Sequence, residues 1–171
     1  MTLCSIRVAA QGDKPSNLAE RRPAQVLPTG GTFSRVLAPS AAAPPRLDQV
    51  WRITGLASPE STALSSDGSF LYVSNVNGEG DARDGNGFIS RVSLSGEIIE
   101  REWARGLNGP KGMMQGGDAI YVSDIDRLVV IDAATGATRR AVAAPGAQFL
   151  NDLAFAPSGE VLIADSGGAR I

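Results

Sequence analysis

Histidine is missing from this 171-residue chain altogether. Its absence excludes a Ser-His-Asp or Cys-His pairing of nucleophile and base, and any imidazole ligand for a metal. A single cysteine, Cys4, excludes an internal disulfide framework, and its scarcity is compatible with either cytoplasm or periplasm. Aromatics make up only 5% of the residues, and 16 basic against 18 acidic side chains leave a formal net charge of −2 with no long basic run. Such a surface has no electrostatic footprint for nucleic acid or an anionic membrane. No apolar run approaches the roughly eighteen residues that span a bilayer. The Ile6–Ala10 stretch is short and interrupted by Arg7, and Arg21-Arg22 is followed by Pro23-Ala24-Gln25, which argues against both secretory and twin-arginine signals. Helix-period segments are nearly absent, which argues against an α/β fold. The Gly85-Asn86-Gly87 triplet opens no helix and so makes no phosphate cradle.

What is present changes character along the chain. Residues 1–48 are rich in Ala, Pro, Ser and Arg, with Pro15, Pro23, Pro28, Pro39, Pro44 and Pro45 spaced so that no element runs far. The composition predicts a disordered leader or linker. From Trp51 onward, short alternating or apolar runs are separated by Gly, Asp, Ser and Asn, a pattern of strands and turns.

One pattern occurs three times. Pro59-Glu60, Pro110-Lys111 and Leu150-Asn151-Asp152 each precede, by about ten residues, a run of the type LYVSN, IYVSD or VLIAD. The first repeat predicts strands over Ser61–Ser65, Phe70–Ser74, Gly87–Ser93 and Glu97–Trp103, turning at Asp67-Gly68 and Ser95-Gly96. The second predicts Gly112–Gln115, Ala119–Ser123, Arg127–Asp132 and Thr138–Ala143, turning at Gly116-Gly117 and Thr135-Gly136. The third predicts Asp152–Ala156 and Glu160–Ala164 around Ser158-Gly159. Four antiparallel strands per repeat imply an all-β protein, a β-propeller of which residues 49–171 supply about two and a half blades (49–105, 106–147 and an incomplete 148–171) of an expected six. An open ring leaves unpaired strand edges, so self-association of the chain is expected. The first repeat carries an insertion, Val76 to Asn86, where the second has only Ile125-Asp126. Insertions of this kind fall in loops on one face, often the binding face.

In a propeller the first strand of each blade lines the central channel, so Glu60, Lys111 and Asn151 occupy equivalent positions at one shared mouth. Glu60, Asn151 and Asp152 together form a hard-oxygen set suited to calcium or magnesium. The alternatives are a solvated carboxylate at Glu60 and an ordinary turn pair at Asn151-Asp152. Lys111 is a candidate substrate contact, or a structural ion-pair partner of Glu60 or Asp152. The inserted loop partly resembles a calcium loop, with Asp84, Asn86, Gly87 and Ile89 in register. Ala82 and Ser93 stand where the first ligand and the bidentate carboxylate belong, which leaves a polar surface hairpin as the preferred reading.

These motifs extend over about Gly55 to Ile171: Pro-Glu with LYVSN, the Gly-Leu-Asn-Gly-Pro-Lys-Gly junction at 106–112, and Leu-Asn-Asp followed by Ser-Gly and Ile-Ala-Asp. In them the chain resembles the senescence-marker-protein/gluconolactonase/luciferin-regenerating-enzyme-like superfamily of six-bladed propellers, which includes the paraoxonase-type lactonases. The resemblance implies a fragment of a metal-dependent lactone or ester hydrolase. Its divalent cation, commonly calcium, would be held by Glu60 and Asn151 with Asp152 in a supporting role, and its substrate would be a lactone such as that of a sugar acid. The family's remaining Asn and Asp ligands would then lie in blades beyond Ile171. Some paraoxonase-like members carry a histidine where this chain has Lys111, so that histidine's role does not transfer. A non-catalytic propeller of the NHL or YVTN type, acting as a binding module, shares the strand text and is the alternative.

Overall fold

A computed structural model describes Leu3–Ala9 and residues 46–171. The chain divides into two compact units, Ile6–Val50 and the combination of Met1–Ser5 with Trp51–Ile171. Most of the leader expected over 1–48 lies outside the described residues. Within it, β1 (Leu3–Ala9) pairs with β2 (Arg46–Ile53) in a two-stranded ribbon. No helix is found among the described residues, and none is long and apolar enough to cross a membrane.

The repeats fold as antiparallel meanders. The first sheet comprises β3 (Pro59–Leu64), β4 (Phe70–Asn75), β5 (Gly87–Ser93) and β6 (Ile98–Leu107), hydrogen-bonded in that order. The second comprises β7 (Pro110–Gly116), β8 (Ala119–Asp124), β9 (Arg127–Asp132) and β10 (Thr138–Ala143), also in chain order. A third pair, β11 (Leu150–Phe155) and β12 (Val161–Asp165), repeats the first half of that pattern. The opening strands of the three sheets are neighbours: β7 packs against both β3 and β11.

Alternation along β4 explains why this text makes a doubly covered strand. Tyr72 faces a core shared with the second sheet, formed by Ile89, Trp103, Met113, Ile120 and Val122 among others, whereas Val73 faces Ile53, Leu56 and Val92 on the opposite side. Period-two side chains put neighbours on opposite faces, so burial of both requires a layer on each side. The outermost strand β10 is exposed along its whole length and carries Arg139 and Arg140, charges that discourage pairing with another chain's edge.

Turn chemistry places the hairpins. Beside the glycine turns, the two-residue connection Ile125-Asp126 departs from the usual rule, because Ile125 has φ of 57°. A β-branched residue there is strained. The strain is held by complete burial of the side chain and by a backbone bond from Leu150 N to Ile125 O at 2.7 Å, which stitches the second sheet to the third.

Candidate functional site at the strand openings

All three sheets share one irregularity. Pro59 pairs with Asn75, Pro110 with Asp124 and Leu150 with Asp165, and regular register then resumes only at Thr62, Met113 and Leu153. The irregular span therefore holds Glu60-Ser61, Lys111-Gly112 and Asn151-Asp152, one pair per sheet. A bulge bends its strand and re-aims a side chain, and bulges are common beside functional sites. The equivalence expected of Glu60, Lys111 and Asn151 is thus present in the pairing itself.

Each bulge is tied down by the residue that ends the second strand. Asp124, with no solvent exposure, accepts from Asn108 N (2.9 and 3.1 Å) and Gly109 N (2.7 Å), and pairs with Arg127 at 2.7 Å. Asp165 does the same for Phe149 N (2.8 Å), Gln148 N (3.2 Å) and Gly168 N (3.0 Å), with Arg170 Nε at 3.1 Å. In the first sheet Asn75 takes this place. Its Oδ1 accepts from Ala57 N at 2.9 Å, and its amide donates to Val73 O and Ser90 Oγ at 3.0 and 2.9 Å. Sequence reasoning passed over these clamps, although their signal was the last letter of LYVSN, IYVSD and VLIAD.

The clamp has a pH signature. Backbone donation from Phe149, then from Gly168 and Gln148, and the bond from Arg170 pull the Asp165 carboxyl from 3.8 to about 2, outweighing the burial that opposes them. A carboxyl depressed in the folded state contributes stability that is complete above its unfolded value and fades as pH falls toward the folded one. Thermal unfolding followed by circular dichroism is expected to show a melting temperature that drops between pH 3.8 and about 2. Asp165→Asn should lower the melting temperature at neutral pH and flatten that slope. An unchanged slope would count against the clamp.

At the mouth, the charged groups sense one another. Glu60 is exposed at the surface, yet the surrounding protein pushes its carboxyl upward, an effect opposed by Lys111 and reinforced by Asp152. Asn151 is half-buried and Asp152 exposed. The structure therefore brings Glu60, Lys111 and Asp152 within electrostatic reach, from three different sheets.

Lys111 sits deepest. Only 3% exposed, it donates from Nζ to Gly80 O at 2.8 Å and Gly109 O at 3.1 Å, and lies 4.3 Å from the centre of the Phe149 ring. Burial lowers its pKa, with Glu60, Asp124 and Asp81 pulling the other way. Among the described residues it forms no close ion pair with Glu60 or Asp152; its ammonium fastens the Val76–Asn86 loop over the start of β7. Gly109 belongs to the same arrangement, since a Cβ there would stand 2.9 Å from Gly80 O. The loop is anchored further by Arg83 to Asp126 at 2.9 Å, while Asp84 is occupied within the loop by Asn86 Nδ2 at 2.6 Å. This loop does lie on the face where the strands open, as its insertion pattern predicted.

The close approach of β7 and β11 depends on Gly112. A Cβ on this residue would stand 2.7 Å from Asn151 O and 2.8 Å from Asp152 Cα, distances no backbone contact tolerates. Ser123 Oγ bridges the same gap, donating to Asn151 O and standing 3.2 Å from Gly112 O.

Among the described residues no three His, Cys, Asp or Glu side chains gather into a metal-binding group. Glu60, Asp152 and the Asn151 amide at the strand openings are oxygen donors of a kind that suits a hard divalent cation. Compared with known protein families the chain matches none, and it matches no curated protein.

Proposed function

We propose that the chain is part of a β-propeller whose bulged strand openings hold a divalent cation, calcium by preference, and that the protein hydrolyses a lactone or ester there. The observation that carries this reading is the bulge repeated at the opening of each sheet, which sets Glu60, Lys111 and Asn151 at equivalent places, with Asp152 close enough to push the Glu60 carboxyl upward against the pull of Lys111. Two carboxylates held close enough to disfavour each other's charge are relieved by a cation between them. Lys111 offsets part of that repulsion at a distance, while its ammonium is directed at two backbone carbonyls and a ring and contacts neither carboxylate.

Within this reading, Glu60 and Asn151 are the direct ligands, and Asp152 supplies balancing charge. Calcium takes six to eight oxygens, so water, backbone carbonyls and substrate would complete its shell. A bound cation would polarise the substrate carbonyl toward attack by water. With no histidine in the chain, a general base would have to be a carboxylate or the water's own metal-lowered acidity. Lys111 and Phe149 act at one remove, keeping the loop seated over the mouth.

Calorimetric titration with calcium, then magnesium, tests the site. The unmodified chain should bind, Glu60→Gln should weaken binding at least tenfold, and affinity should fall as pH is lowered through the raised Glu60 pKa, since only the ionised carboxylate is a ligand. Absence of binding by the unmodified chain would sink the proposal. Among the described residues no third carboxylate joins the group, which favours one alternative, a non-catalytic propeller of the NHL or YVTN type that binds a protein, peptide or sugar. A screen of lactone hydrolysis separates the two: turnover that disappears in Glu60→Gln belongs to the enzyme reading.

A further inference from the structure

A cavity lies at the other end of the strands, between the first and second sheets. It holds about 220 Å³ and is lined by Asp67, Phe70, Tyr72, Arg91 and Gln115, among others. Asp67 lies beyond the end of β3, Phe70 begins β4 and Gln115 is near the end of β7, so the cavity is remote from the openings that carry Glu60, Lys111 and Asn151.

Two opposite charges line this cavity without pairing. Arg91 makes no ion pair among the described residues, and its Nε is buried with no hydrogen-bond partner. Its guanidinium is held by rings instead, 4.2 Å from the centre of Phe70 and 5.8 Å from that of Trp103. Burying a charged donor without a partner is costly; Nε has no exposed surface, so a ligand in the cavity reaches this guanidinium only through its terminal nitrogens. Asp67 is the counterpart. Ser65 Oγ (2.7 Å), Ser69 N (3.1 Å) and Ser69 Oγ (2.8 Å) all donate to its Oδ1, and Oδ2 receives none of these bonds. Those bonds hold the carboxyl at about 2, so it stays ionised at neutral pH.

We infer that this cavity is a binding site for a small α-amino acid in its zwitterionic form. The ligand carboxylate meets Arg91, its ammonium meets Asp67 Oδ2, and its side chain lies against Phe70. A simple carboxylate would satisfy Arg91 but face Asp67 with like charge, and a simple amine would reverse the mismatch. Size agrees: the volume equals about seven water molecules, room for an aliphatic amino acid and little more. A guanidinium provides planar, bidentate recognition of a carboxylate.

The test uses the full chain with L-leucine, N-acetyl-L-leucine and L-leucinamide, read by calorimetry and by NMR shifts of amides around Asp67, Arg91 and Gln115. L-Leucine should bind saturably in the millimolar range or tighter, with both capped analogues at least tenfold weaker. Arg91→Gln should weaken leucine binding at least tenfold while leaving calcium binding at the strand openings unchanged. Equal binding of N-acetyl-leucine or of leucinamide overturns the zwitterion assignment, and no saturable leucine binding overturns the site. Undiminished binding by Arg91→Gln places any leucine elsewhere and overturns it as well. Because the analogues are compared on the unmodified chain, the result does not depend on a variant that folds.

Discussion

Asp124→Ala is expected to lower the free energy of unfolding by about 3 kcal/mol or more, the scale for removing one partner from a buried charge pair. Its carboxylate is wholly removed from solvent and accepts the N–H groups of Asn108 and Gly109 while pairing with Arg127. Truncation leaves both N–H groups and a half-buried guanidinium without their acceptor, and each unsatisfied buried group adds its own desolvation cost. Asp124→Asn should fall between, since it keeps one acceptor oxygen and loses the charge. Asp126→Ala is the control: Asp126 pairs with Arg83 at 2.9 Å across an exposed surface and should cost no more than about 1 kcal/mol. Urea unfolding of the three variants checks the ranking. A cost for Asp124→Ala as small as the control's would show that the clamp does not hold the junction.

Gly112→Val should separate the opening strands of the second and third sheets. The atoms a side chain would meet are backbone atoms of Asn151 and Asp152, so relief requires β11 to move rather than a side chain to turn. Overpacking of a tight contact costs about 1–3 kcal/mol. The larger effect falls on the proposed cation site: calcium affinity there should drop at least tenfold, although Glu60, Asn151 and Asp152 are all intact. Hydrogen exchange should speed up over Leu150–Phe155 and stay slow in β8. Unchanged exchange together with unchanged calcium binding would break the link between this glycine and the site.

The strand pattern was legible because alternation and turn glycines are local signals. Arg127–Asp132, Thr138–Ala143 and Gly87–Ser93 fall where their sequence predicts them, and the Val76–Asn86 insertion lies between β4 and β5 as expected. Three strands start two residues earlier than their pattern predicts. The pattern predicts β3, β7 and β11 from Ser61, Gly112 and Asp152, whereas pairing begins at Pro59, Pro110 and Leu150. A bulge interrupts alternation immediately after the first paired residue, so the regular pattern becomes visible only beyond it. Strand β6 also runs past Trp103 to Leu107, through repeated register shifts against β5 that disguise its period.

The site was legible in outline. Aligning the repeats was enough to place Glu60, Lys111 and Asn151 in one structural position, because register follows the repeat. The burial of Lys111 was not, since its cage comes from Gly80 in an insertion and Phe149 just ahead of β11 in the next repeat. Nor were Asp124 and Asp165, since aspartate at the end of a strand ordinarily reads as a solvated turn residue. The cavity around Arg91 has no sequence signal, because it is assembled from side chains whose proximity only the packing of two sheets creates.

The clamps also separate how an opening is shaped from what it carries. Asn75, Asp124 and Asp165 grip main-chain N–H groups on the segment that leads into each sheet's first strand, and ask nothing of the residue at the bulge. The same backbone address therefore displays glutamate, lysine and asparagine in turn. A mouth built this way can be rewritten one side chain at a time, with the scaffold indifferent to the outcome. Glu60→Lys or Asn151→Asp then changes the chemistry on offer without a new fold, which makes this end of the molecule the natural place to alter its specificity.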